Sequence, residues 1–171
     1  MKTIFVFLLL FAITGQVCRS NDNNQSPDPN SSGRFDNLPQ DVILLWNETA
    51  LEAMGGDACL HSHYGAYVNV MMHLAMHNAL NGIEPKFETY HFDYIDRNAD
   101  PVAAASKAAH TVLSTLLPEA CRLLDLRLKK VISALPEGSS KTRGINLGML
   151  AGEEILITRG KGVPNSFLRL L

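Results

Sequence analysis

Apolar residues recur through most of this chain at steps of three and four, which is the period of a helix that buries one side. The longest such run covers residues 67–85, and Gly82 and Pro85 mark its end. The run is apolar enough to predict a central helix rather than a surface helix. Its apolar side consists of Val68, Met71, Met72, Ala75, Met76, Ala79, Leu80 and Ile83.

Four other stretches share the helical period. The first covers residues 39–54, the fourth covers 119–135 and the fifth covers about 139–159. The third is predicted to begin at Asp100 and Pro101, because a capping aspartate followed by proline is a common helix start. The sequence shows neither the alternation of a strand nor an internal repeat. We therefore expect an all-α fold, a bundle of about five helices.

Small residues and one aromatic segment add detail to this picture. The alanines within residues 103–109 give the third helix a side that a neighbour can approach closely. Gly144 and Gly148, four residues apart in the fifth helix, likewise permit close helix contact. Residues 84–99 are aromatic and irregular, which predicts an ordered loop packed over helix ends.

The N-terminal residues have the pattern of an export signal. In residues 1–20, Lys2 is the positive end and residues 4–13 form an apolar core too short to span a membrane comfortably. Residues 21–36 form a polar linker that lacks the apolar residues needed for order. We therefore expect a secreted or periplasmic protein whose helical domain covers residues 37–162. No integral membrane segment is expected in the mature chain.

Composition excludes some partners and leaves the cysteine chemistry open. The chain has 171 residues, enough for one domain with a core, and a net charge of −2 without a basic run. A nucleic-acid partner is therefore not expected. Once a signal is removed, Cys59 and Cys121 remain, and they form either one disulfide or two buried thiols.

The candidate chemistry is a histidine pair in the longest helix. His73 and His77 are four residues apart, so both imidazoles face the same way and can bind zinc or another transition metal. Further ligands would have to come from elsewhere, and His61, His63 and His110 are candidates. No glutamate follows His73, so the zinc-protease pattern is absent. The alternative is a structural role for both histidines. No catalytic residue and no cofactor are predicted from the motifs of this chain.

A longer pattern of helices and small residues links these features. It comprises Trp46-Asn47, His73-Leu-Ala-Met-His77-Asn-Ala-Leu-Asn81, the alanine-rich 103–109 ending in His110, and Gly144 through Gly148 to Arg159. This order resembles the N-terminal helical region of vanadium-dependent haloperoxidase-like proteins, members of the type 2 phosphatidic acid phosphatase superfamily. One departure is Asn78, where aspartate is more usual.

The resemblance implies a helical bundle whose complete form binds vanadate or phosphate. The family's anion site uses a lysine with arginine-proline, then serine-glycine-histidine, then arginine with a later histidine. Neither arginine-proline nor serine-glycine-histidine occurs in the 171 residues. His73, His77 and His110 match positions of the helical scaffold, so the resemblance assigns them no catalytic role.

These observations predict an N-terminal fragment that is inactive alone. Residues 163–171 have no counterpart in the family pattern, which predicts a truncated chain with an exposed apolar face. The expected partner is a missing C-terminal half, or a second copy of the chain. The alternatives are a non-catalytic helical interaction module and a small metal-binding bundle at His73 and His77. Haloperoxidase and phosphatase chemistry are not distinguished by this sequence.

Overall fold

A computed structural model of the chain describes residues 40–56 and 63–160. Within these ranges the chain forms five α-helices, one short 3-10 helix at Pro118–Ala120 and no strand, which confirms the expected all-α fold. No helix in this part of the chain is long and apolar enough to cross a membrane. The α-helices are α1 (Gln40–Ala53), α2 (His63–Ile83), α3 (Pro101–Leu116), α4 (Cys121–Ala134) and α5 (Ser139–Gly160).

The helix boundaries follow the sequence closely, with one difference at α2. This helix begins at His63, a full turn before the apolar run that predicts it. The start of α3 is as expected, because Asp100 Oδ1 accepts a hydrogen bond of 2.8 Å from the Ala103 amide. The predicted signal at 1–20, the linker at 21–36 and the tail at 163–171 lie outside the described residues.

The centre of the bundle is α3 and not α2. Helix α3 packs against each of the other four α-helices, and its five alanines at 103–105 and 108–109 are completely buried. The 67–85 run is strongly apolar, but α2 leaves one face open, with Val70 53% exposed. The prediction of a central helix at 67–85 is therefore wrong. The small side chains of α3, more than the hydrophobicity of its sequence, allow the other helices to surround it.

The closest contact in the bundle joins α3 to α5 through glycines. A Cβ atom at Gly144 would lie 2.5 Å from the Asp100 carbonyl oxygen, and one at Gly148 would overlap the Ala104 carbonyl oxygen. At Gly152 the same atom would lie 2.7 Å from Cβ of Thr111. Three glycines at steps of four thus follow α3 in the same direction along the chain. The predicted close contact at Gly144 and Gly148 is confirmed, and Gly152 extends it by a turn.

Helix α4 lies at the edge of the bundle. Its only buried residue is Leu124; Leu128, Val131 and Ile132 are half-buried. The apolar side that the helical period of residues 119–135 predicts to be buried is therefore only partly covered. Cys121 at its start has a free thiol, and Cys59 lies outside the described residues.

We predict that Gly148→Ala destabilises the fold, although alanine is the better helix former by about 1 kcal/mol. The new methyl group would meet the backbone of α3, which cannot rotate away. Overpacking of this kind costs up to about 3 kcal/mol, so we expect a net loss of about 2 kcal/mol in the free energy of unfolding. Urea denaturation followed by circular dichroism measures this difference.

The matched control is Asn146→Ala on the exposed side of the same helix. It should leave the free energy of unfolding within about 0.5 kcal/mol of the original or raise it slightly. A Gly148→Ala chain as stable as this control would contradict the close contact between α3 and α5.

Candidate functional site

The open face of α2 is uncharged and contains the predicted histidine pair. The helix sequence HYGAYVNVMMHLAMHNALNGI contains no Asp, Glu, Lys or Arg. On this face His63, Ala66, Val70 and His73 are exposed and His77 is half-buried. The five residues follow each other at steps of three, four, three and four, so they form one stripe along the helix. We call them the α2 outer stripe.

The two histidines of the pair border one open cleft. His73 and His77 line it together with Asn69, Val70 and Leu74. The structure therefore places both imidazoles on one side of α2, as their spacing predicts. Although the His73 side chain reaches solvent, desolvation lowers its pKa below the ordinary value. Neutral imidazole, the form that binds a metal, is thus favoured at neutral pH.

One ring nitrogen of His77 is already used within the fold. Its Nε2 lies 2.9 Å from the backbone carbonyl oxygen of Glu88. Because a carbonyl oxygen can only accept, Nε2 donates the proton and Nδ1 keeps the lone pair. The Asn81 amide nitrogen lies 3.4 Å from both ring nitrogens and donates to the His77 carbonyl oxygen at 2.9 Å. This orientation is the usual one for a metal-binding histidine held by a backbone carbonyl.

Of the other candidate ligands, His63 and His110 are not brought to this pair. Within the described part of the chain, no group of three or more His, Cys, Asp or Glu residues could hold a metal ion. His110 lies on α3 and is buried, and His61 lies outside the described residues. The described residues thus place two imidazoles, those of His73 and His77, at this cleft, and the metal site there stays a prediction.

Asn78 is the residue that fixes the aromatic loop against α2. It is completely buried, and its side-chain amide binds both backbone groups of Tyr90. The Tyr90 amide donates to Oδ1 at 2.8 Å, and Nδ2 donates to the Tyr90 carbonyl oxygen at 2.9 Å. Asn81 adds a second attachment, since its Oδ1 accepts from the Phe87 amide at 2.9 Å. Two asparagines at buried positions of an apolar helix were the sequence signal for this role.

Helix α5 holds the same loop from its other side. Arg143 donates twice to Asp96 Oδ1, at 2.9 Å from Nε and 2.7 Å from Nη2. The guanidinium carbon of Arg159 lies 4.5 Å from the centre of the Tyr90 ring, within range of a cation–π interaction. Desolvation would raise the pKa of Asp96, but the bonds from Arg143 and from nearby backbone amides hold it below the ordinary value. The ordered loop predicted at 84–99 is therefore present and attached to two helices.

His110 is an internal link between α3 and α4. It is 8% exposed, and its Nε2 lies 2.8 Å from Asp125 Oδ1. Its Nδ1 lies 3.5 Å from the Lys107 ammonium, which can only donate. Desolvation lowers the pKa of His110, against the opposing hydrogen bond to Asp125. With Nε2 bonded to Asp125 and the ring buried, the arrangement favours a structural role over a catalytic base.

We predict that Asn78→Asp destabilises the chain by about 2 kcal/mol or more at neutral pH. A carboxylate can accept from the Tyr90 amide but cannot donate to the Tyr90 carbonyl oxygen, which loses its partner in a buried place. Denaturation by urea gives the difference. The same change at Asn69, in the open cleft of the same helix, should cost less than about 0.5 kcal/mol. Equal costs at the two positions would contradict the anchoring role of Asn78.

The lowered pKa of His110 predicts a loss of stability in mild acid. Below the ordinary histidine pKa of about 6.5, the unfolded chain binds a proton that the folded chain still excludes. The free energy of unfolding therefore falls as the pH falls through this range. His110→Gln, which keeps a donor for Asp125 and does not titrate, should lose less stability between about pH 7.5 and 5.5.

Thermal denaturation at several pH values measures this slope. Asn146→Gln, a substitution of a residue that does not titrate on the exposed side of α5, should keep the slope of the original chain. A His110→Gln slope equal to that of the original chain would rule out this histidine as a source of the acid sensitivity.

Comparison of the chain with protein-family models, curated proteins and solved structures finds no match.

Proposed function

We propose that this chain is the N-terminal helical region of a secreted vanadium-dependent haloperoxidase-like or phosphatase-like protein. In this proposal it is a non-catalytic scaffold for an anion-binding half that lies outside these 171 residues. The observation that supports it is the role of the residues that carry the resemblance. Those residues are mainly buried packing and anchoring positions, namely Trp46, Asn81, Ala103–Ala105, Gly144 and Gly148.

The charges of the described residues fit a scaffold better than an oxyanion site. Vanadate or phosphate chemistry needs several cationic groups that converge on one point without acidic neighbours. In this part of the chain, several cations are paired with carboxylates instead. The pairs are Lys86–Glu84, Arg127–Glu52, Lys141–Glu137 and Arg143–Asp96, with N···O distances of 2.7–3.1 Å.

A helical interaction module is the second candidate function. The aromatic loop exposes Phe87 at 70%, Tyr94 at 54% and Ile95 at 64%. Since Asn78 and Asn81 hold this loop in place, the exposed side chains are ordered before a partner arrives, which reduces the entropy lost on binding. Exposed apolar side chains on a rigid support favour protein association. The partner in this second proposal is a separately made C-terminal half or a second copy of the chain.

We predict that the chain alone neither binds vanadate nor turns over substrates of the resembled enzymes. Vanadium-51 NMR of a vanadate titration should show only the free-anion signals, because the lysine, arginine and histidine set of the family is missing. Phosphomonoester hydrolysis and peroxide-dependent halide oxidation should be no faster than the same reactions in buffer without the protein. Vanadate binding that competes with phosphate would contradict the scaffold assignment.

The family assignment has its own test in the gene. Sequencing past codon 171 in all three frames should show an arginine-proline motif followed by serine-glycine-histidine. If both occur, the joined protein should gain vanadate binding or phosphatase activity. If neither motif occurs in any frame, the haloperoxidase-like assignment falls and the interaction module becomes the better proposal.

A further inference from the structure

The α2 outer stripe differs from an ordinary solvated helix face. A surface helix normally places charged side chains toward water, yet α2 has none over its 21 residues. The stripe runs from His63 to His77, a length of about 21 Å at the rise of an α-helix. Its steps of three and four are the spacing by which two helices pack along a seam. The face therefore has the composition and spacing of a helix contact without a helix on it in the described part of the chain.

The described residues of the stripe also provide only half of the ligands of a zinc site. His73 and His77 border one cleft, and no third His, Cys, Asp or Glu of the described residues joins them. A stable zinc site with imidazole ligands is tetrahedral and takes four donors. Two imidazoles from one chain supply half of that set.

We propose that two copies of the chain pack through their α2 outer stripes, and that His73 and His77 of both copies bind one Zn²⁺ between them. A two-fold axis parallel to the two helices brings each stripe, and each histidine pair, opposite its own copy, as an isologous contact requires. Four neutral imidazoles from two helices then surround one point. Among the described residues one copy supplies two ligands, so a second copy completes the set and is the occupant that this face fits.

Charge supports the same occupant. Two faces without charged residues meet without like-charge repulsion and without an unpaired buried ion, whereas a strongly charged partner would lose its hydration with nothing to pair. The zinc ion supplies the only strong charge at the centre.

The hydrogen bond of His77 prepares the ligand. With Nε2–H donating to the Glu88 carbonyl oxygen, the lone pair is on Nδ1, and the ring is held in one tautomer before a metal arrives. The stripe positions next to the pair are Val70 and Ala66, with His63 at the far end, so the helices can approach closely around the metal. A contact between single helices is smaller than the roughly 1,200 Å² of a stable interface, so association should require the metal.

The test is sedimentation velocity of the full chain, purified without a polyhistidine tag and stripped with a chelator. The chain should be monomeric without metal, dimeric with half an equivalent of Zn²⁺ and monomeric again after chelation. Isothermal titration should give one zinc per two chains. Mg²⁺, which prefers oxygen ligands, should not cause association.

Two variants separate the metal from the surface. His73→Gln removes two of the four ligands from the dimer. It should raise the zinc concentration needed for dimerisation by more than about 100-fold, which is more than is lost when only a hydrogen-bond partner of a ligand is removed. Val70→Arg places a positive charge on the stripe beside the zinc ligands and should prevent dimerisation while circular dichroism still shows a folded helix bundle. His91→Asn is the matched control, because His91 is exposed in the loop with a φ of 50° that asparagine tolerates.

The outcomes are distinct. A zinc-dependent dimer that the His73 and Val70 variants lose, and the His91 variant keeps, supports the shared site. A monomer that binds one zinc per chain, a dimer that forms equally well with chelator present, or the absence of zinc binding overturns it. None of these results depends on the scaffold function proposed above, whose test is vanadate binding and the gene sequence.

Discussion

The close approach of α3 and α5 is the contact on which the arrangement of this bundle depends. Alanines on one helix and three glycines on the other remove the side chains that normally keep helix axes apart. Backbone then meets backbone along three turns, which increases the dispersion contacts of each residue. Since α3 is narrow on several sides, α1, α2 and α4 can also pack against it.

A second level of order depends on buried amides rather than on apolar packing. The loop between α2 and α3 has backbone groups that no regular element satisfies, and an unsatisfied group in the interior is costly. Asn78 and Asn81 provide the partners from α2, and Arg143 and Arg159 hold the loop from α5. The loop thus links α2 to α5, and we call it the strap.

This strap connects the packing of the bundle to its open surface. Its Glu88 carbonyl oxygen sets the orientation of His77, so the geometry of the histidine pair depends on the same asparagines that hold the loop. The rest of the uncharged outer stripe and the exposed side chains of the loop lie outside this framework. Ordered backbone holds both of them. A surface that is ordered in advance loses less conformational entropy when a partner binds.

The sequence by itself determined the helical class, the approximate ends of five helices, the Asp100 cap and the common face of His73 and His77. These features depend on residues within one or two turns of each other, and local periodicity records them. The tertiary structure decided which helix is central, that Asn78 binds Tyr90, and that His110 meets Asp125. Each of these pairs residues 12 or 15 positions apart or depends on the width of a neighbouring helix, and no local pattern encodes the distance between two helices.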